Sequence, residues 1–157
     1  MGRQCLTTHS VLSHRPPRLD RAPRPHTILV PDAVIEEVRF GEHKDRTAAT
    51  AVEWAGRYRV ADIAVATSIE HWDLGLGESQ VIAHCPGGSR WAVLDDRAAR
   101  RCAVAHNVSV IGTLGVVLRS KTNHQIENAR PLVKQLIAAG MFLDDEFVDR
   151  VLASIGE

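Results

Sequence analysis

Acidic residues recur where a strand gives way to a helix, and they are the first chemistry this 157-residue chain offers. Asp95 and Asp96 follow the apolar run Trp91–Leu94 directly. Glu78 opens a helix behind the Gly75–Gly77 turn, and Glu36 and Glu37 lie one to two turns into the helix after Ile28–Val30. Each has an ordinary explanation when taken singly, because Asp and Glu cap free N–H groups and complement the dipole in first helical turns. Together they are three separate segments that would meet at one sheet edge, with no equal number of basic residues near them in sequence. Such a gathering of carboxylates is costly unless a cation is bound. Oxygen-only ligands select Mg²⁺ or Mn²⁺ over zinc.

Other chemistries lack their residues. A dinucleotide site wants GxGxxG after a strand, but Gly75/Gly77 precede Glu78, Gly87/Gly88 precede a strand, and no phosphate-loop lysine follows either pair. No nucleophilic-serine elbow is present. Cys5, His9 and His14 have a loosely metal-like spacing inside an Arg- and Pro-rich stretch, which reads as coincidence. Cys102 and His106 are i, i+4 on a helix, and Cys85 follows His84. Without a third partner these read as small buried hydrophobes beside surface histidines. Three cysteines without CxxC spacing imply reduced thiols.

The elements that must position the acids alternate in type. Thr27–Val30 reads as a buried strand, Pro31 as the opening of a helix with Val34, Ile35 and Val38 on one face, and Thr47–Gly56 as a second helix. Arg59–Ala66 reads as a strand, Asp73–Gly77 as a turn, Glu78–Cys85 as a helix, and Pro86–Gly88 as a break before the strand Trp91–Leu94. An Ala-rich helix over Asp96–His106, closed by Asn107, leads to the strand Val108–Ile111 and a helix over Thr113–Lys121. Two last helices, Asn128–Ala139 closed by Gly140 and Asp144–Ser154, would bury Leu132, Val133, Leu136 and Ile137, and Phe147, Val148, Val151, Leu152 and Ile155. Strands alternating with helices imply right-handed crossovers and a parallel sheet covered on both faces, a three-layer α/β domain. In such sheets ligands bind at the carboxyl ends of the strands.

Composition agrees with one soluble domain: 45% hydrophobic and 24% charged, with only 4% aromatic, so the core must be aliphatic and Ala-rich. The zero net charge hides an asymmetry. Residues 1–27 hold five Arg against Asp20, which leaves 14 basic and 18 acidic groups in residues 28–157, a net of about −4 with His neutral. That excludes a broad basic face and leaves room for a small acidic site. Residues 1–27, with four of the seven prolines, read as a poorly ordered solvated arm. No apolar run has the roughly 18 residues of a bilayer span and no signal-peptide stretch is seen, so a cytoplasmic protein with no membrane contact is expected.

Four segments in this order carry a resemblance: Ile28–Val38 (ILVPDAVIEEV), Leu74–Ile82 (LGLGESQVI), Val93–Arg100 (VLDDRAAR) and Val110–Val117 (VIGTLGVV). They resemble the PIN-domain family, and within it the prokaryotic VapC-like branch long catalogued as a domain of unknown function. The likeness spans residues 28–157 and includes the two C-terminal helices. It implies a metal-dependent ribonuclease fold, with RNA as substrate and, in the best-known members, a cognate antitoxin as partner. Position by position, the family's helix glutamate falls on Glu37, its second glutamate on Glu78, and its aspartate pair on Asp95 and Asp96, with Asp96 the metal-site member. In such a site one or two Mg²⁺ activate a water for in-line attack on the phosphodiester and stabilise the leaving oxygen. Arg97 and Arg100 become candidate phosphate contacts, or else solvated helix arginines.

The family's opening strand ends in an aspartate, and no such strand or acid stands upstream of Thr27. The nearest trace is Thr8–Leu12, so the first βα unit reads as missing or degenerate. Three functions follow. The chain is a Mg²⁺-dependent ribonuclease toxin impaired by the missing acid, or a catalytically dead PIN-like domain that binds an antitoxin or pairs with its own copy. The third reading is a small α/β regulatory module whose acids are only caps.

Overall fold

The computed structural model describes residues 28–40 and 48–157. The Arg/Pro-rich arm, Cys5, His9, His14, the Thr8–Leu12 trace, Thr27 and Thr47 lie outside the described residues. In chain order the elements are β1 (Val30–Pro31), α1 (Asp32–Phe40), α2 (Ala48–Gly56), β2 (Arg59–Val60), α3 (Thr67–Glu70), α4 (Leu76–Ala83), β3 (Trp91–Val93), α5 (Arg97–Ala105), β4 (Ser109–Ile111), α6 (Thr113–Thr122), α7 (Arg130–Ala138) and α8 (Asp145–Ser154). This is the expected α/β alternation, with parallel strands throughout. Val30 sits opposite Arg59, and Trp91 and Val93 sit opposite Ser109 and Ile111. Among the described residues the strands form two two-stranded pieces, β1–β2 and β3–β4, rather than the one central sheet expected. Helix α4 packs on both β1 and β3 and so joins the pieces.

Several elements depart from the sequence reading for local reasons. The strand expected over Arg59–Ala66 stops at Val60. Its partner β1 ends at Pro31, which has no N–H, and the chain turns helical at Asp32. The next backbone groups go to side chains instead of a ladder. Gln80, 4% exposed, accepts from Ile63 N–H at 3.0 Å and donates to Ile63 C=O at 2.8 Å, while Asp62 Oδ1 takes the Ala33 N–H of α1 at 3.1 Å. Of the strand expected over Thr27–Val30, Val30 alone is paired among the described residues, because β2 offers only two residues to pair. The short α3 was not anticipated. Helix α4 begins two residues before Glu78, and α7 begins at Arg130 rather than Asn128.

Asn107 (φ 58°) and Gly140 (φ 100°) close α5 and α7 in the left-handed conformation, as read from sequence. Behind Gly140, Met141 N–H returns to Leu136 C=O at 2.9 Å.

Two apolar clusters result. The first joins Ile69, Ile82, Cys85, Ala92, Leu94, Ala99, Cys102, Ala103 and Val108. Ala99, Cys102 and Ala103 are fully buried, and their small side chains let α5 lie close to the strands. The second joins Ala129, Val133, Val148 and Leu152, with Leu114, Val117 and Leu118 of α6 packed on it. The seam between α7 and α8 is narrower than the sequence pattern suggested. Ile137 and Phe147 are exposed and Leu132, Leu136, Val151 and Ile155 are half-buried, so only Val133, Val148 and Leu152 of the expected faces are fully covered. Cys85 and Cys102 are free and buried, and burial pushes both thiols up, as fits inert reduced cysteines. No helix of the described residues is long and apolar enough to cross a membrane.

Glu157 ties this second cluster together. Its carboxylate accepts from Ala129 N–H at 2.6 Å and Arg130 N–H at 2.9 Å at the start of α7, and Lys121 lies 3.6 Å away. The Ala129 amide first, then that of Arg130, holds this carboxyl below the usual range. A depressed folded-state value means stability that is present above the ordinary carboxylate value and lost as pH falls through the folded one. Glu157→Gln should therefore melt lower than the parent at pH 7, with the gap closing on acidification toward pH 3. A gap independent of pH would exclude the charge as its source.

Candidate functional site

Each candidate acid places its carboxylate at a helix N-terminus. Helix α4 has Gly75 at its N-cap, which offers no side chain, and Glu37 reaches over from α1 to replace it, with Oε1 accepting from Gly77 N–H at 2.9 Å. Glu78 stands in the first turn of α4, where the Gly75 backbone amide favours its charged form. Asp96 is the N-cap of α5, where Oδ1 accepts from Ala98 N–H at 2.7 Å and Ala99 N–H at 2.9 Å. Asp95 crosses to α6. Its Oδ1 accepts from Thr113 N–H at 2.9 Å, and its Oδ2 accepts from the Thr113 hydroxyl. Three helix starts therefore point their partial positive charge at four acids.

Glu78 lies in the field of Asp96 and of Glu37. A methyl group at Gly75 would lie 3.7 Å from both Glu37 Oε1 and Glu78 Oε2, so little more than a glycine separates these carboxylates. Burial first, then the charge of Asp96 and that of Glu37, pushes the Glu78 carboxyl up, against the opposing Gly75 hydrogen bond. Asp96 shifts the other way, held low by the amides of Ala99, Ala98 and Arg97. Among the described residues none of Glu37, Glu78, Asp95 and Asp96 is in an ion pair, whereas the neighbouring Glu36 bonds Arg39 at 2.6 Å and Asp32 bonds Arg59. Among those residues, too, no three such side chains stand close enough to hold a metal ion as they are placed.

Asp95 lies apart from this trio, beside Arg100. A methyl at Gly112 would come within 2.8 Å of both Asp95 Oδ1 and Arg100 Nη1, so the close approach requires glycine there. Arg100 is anchored by donating to Leu94 C=O at 3.0 Å. Arg97 is exposed at the first position of α5. Asp95, Arg97 and Arg100 line an open hollow of about 650 Å³, and Glu37 lines a second of about 430 Å³ with Asp32, Glu36, Asp62, Phe40 and Leu76. Sequence reasoning missed Gln80 and Thr113, whose side-chain partners lie 17 and 18 residues away, and the glycines that make room for the acids.

A family model described as a PIN domain matches residues 18–157. The chain belongs to the PIN-domain family. No curated protein and no solved structure matches it. A PIN domain is a nuclease-type fold, and the short parallel strands and surrounding helices of this chain are consistent with it.

In this PIN domain Gly77 offers a direct handle on Glu37, since a methyl there would stand 2.5 Å from Oε2 and 3.0 Å from Cδ. Ala is the better helix former by roughly 1 kcal/mol, so what must move is the Glu37 carboxylate. Gly77→Ala should displace it with a small change in melting temperature, and a metal site that uses Glu37 should then lose Mn²⁺ affinity by roughly tenfold or more. Unchanged Mn²⁺ affinity by calorimetry would remove Glu37 from any metal site.

Proposed function

We propose that the chain is a divalent-metal-dependent endoribonuclease of the PIN type, the toxin of a toxin–antitoxin pair, using Glu37, Glu78 and Asp96 with Asp95 beside them. The observation that supports this reading is the nearness of Glu37 and Glu78 across Gly75, with the charge of Asp96 felt at Glu78 and none of the three in an ion pair among the described residues. The donors suit Mg²⁺ or Mn²⁺. All are carboxylate oxygens, and Mg²⁺ is commonly held by one or two carboxylates together with waters and substrate phosphates, so Glu78 and Asp96 suffice. A cation bound there supplies an activated water and neutralises charge developing on an RNA phosphodiester.

The remaining roles fall to this chain's own side chains. Asp96 stays ionised at neutral pH because three amides favour its charge. Arg97 and Arg100 offer guanidinium groups to phosphate oxygens on the α5 side. Thr113 locks Asp95 beside Arg100.

A second reading, a catalytically dead PIN-like domain that binds an antitoxin or its own copy, is favoured by one observation: every candidate acid already serves a helix start. Melting in Mg²⁺ or Mn²⁺ separates the possibilities when run beside RNA digestion. The proposal expects both ions to raise the melting temperature of the native chain and not of Glu78→Gln. Stabilisation without any RNA cleavage would leave the second reading, and no stabilisation at all would overturn the metal site.

A further inference from the structure

One face of α5 is built unlike a solvated helix surface. Arg97, Arg100, Arg101 and Val104 fall at i, i+3, i+4 and i+7, so they share that face. None of the three arginines is in an ion pair among the described residues. Arg97 occupies the first helical position, where a cation opposes the helix dipole. The open hollow of about 650 Å³ over this face is also lined by Asp95 and Trp72. Trp72 is half-buried against the first apolar cluster, which fixes its ring, and the Arg101 guanidinium lies over that ring at 5.9 Å. Val104, 53% exposed, continues the apolar wall.

A fixed indole with a guanidinium across it, beside two further unpaired arginines, matches what an unpaired nucleotide asks for: a stacking plane for the base and cations for the phosphates. We propose that this hollow is a subsite for single-stranded RNA. One unpaired base inserts at Trp72 and Arg101, its flanking phosphates meet Arg97 and Arg100, and the strand runs on past Asp95 toward Glu78 and Asp96. Trp72 and Arg101 thereby set a preference for unpaired RNA, since the bases of a duplex lie inside the helix where no side-chain ring can stack on them. This deepens the ribonuclease reading and rests on it for the direction in which the strand continues.

The test is equilibrium binding by fluorescence anisotropy, in an Asp96→Asn background that removes cleavage. The probes are a labelled unstructured RNA of about ten nucleotides and a hairpin of equal stem length. Trp72→Ala should weaken binding of the unstructured RNA roughly tenfold, and Trp72→Phe, which keeps a stacking ring and fills most of the same space, should recover most of the loss. Arg101→Gln should weaken it as well and lower the salt slope by about one. Hairpin binding should be weaker and indifferent to Trp72. Equal binding of unstructured RNA by parent, Trp72→Ala and Trp72→Phe, equal binding of hairpin and unstructured RNA, or no RNA binding at all would each overturn the subsite. Binding is read apart from cleavage, so the two ideas can fail separately. A chain that cuts no RNA yet shows the Trp72 dependence keeps the subsite and loses the ribonuclease, and cleavage without Trp72 dependence does the reverse.

Discussion

Asp96→Asn should lower Mg²⁺- or Mn²⁺-dependent RNA cleavage by roughly 100-fold or more while leaving the fold intact. The substitution separates two duties of one side chain. As the N-cap of α5, Asp96 presents Oδ1 to the Ala98 and Ala99 amides, and asparagine caps about as well as aspartate because its carbonyl oxygen accepts the same bonds. As a cation ligand, however, Asp96 matters through a charge that those amides keep ionised, and asparagine has none. Removing it also relieves part of the repulsion that pushes Glu78 up, leaving one acid fewer to attract the ion. The measurements are an RNA digestion and a thermal melt of both chains. Equal cleavage by native and variant would place the activity elsewhere.

What the sequence made legible was the alternation of elements and the places where acids would gather. Pattern and punctuation are local, so Asn107 and Gly140 could be read as stops, and Asp95 and Asp96 as the residues that follow a strand. The length of β2 was not local. It depends on Pro31 and Asp32, 28 residues earlier, which leave nothing to pair beyond Val60, and on Gln80, which captures both backbone groups of Ile63 from another helix. The start of α4 likewise depends on Glu37 reaching 40 residues forward to Gly77. At the site, sequence could name the acids but could not show that metal and cap readings fall on the same atoms. Asp96 needs one oxygen for two amides, and only the fold shows that Glu78 lies in the field of Asp96 and Glu37 and that Asp95 turns away to Thr113. The arginine face of α5 was half legible. Arg97 and Arg100 stand in the sequence as phosphate contacts or solvated helix arginines alike, but Trp72, 25 residues before Arg97, enters the same hollow only through the path of α3 and α4.

The largest effect on stability should come from Leu152→Ala, which is expected to cost about 2–5 kcal/mol. Leu152 is fully buried in the second apolar cluster, where Ala129 and Val133 face Val148 and Leu152 and the side chains of Leu114, Val117 and Leu118 close the third side. Three helices meet on that one side chain, and their loss of contact cannot be made good by a single small shift. The backbone there is held as well, since Leu152 C=O accepts from both Ile155 and Glu157 N–H at 3.0 Å. The cost is a large share of the roughly 5–15 kcal/mol that keeps a domain of this size folded. The consequence for the site is graded. Glu37, Glu78 and Asp96 stand on α1, α4 and α5, which the second cluster does not include, whereas Asp95 leans on Thr113 at the head of α6, which it does. Hydrogen exchange in the variant should therefore rise first in α7 and α8, then in α6, with α4 and α5 the last to lose protection. Urea denaturation supplies the magnitude. A loss under about 1 kcal/mol, or exchange that rises equally in α4 and α8, would mean that the two clusters do not act as separate supports.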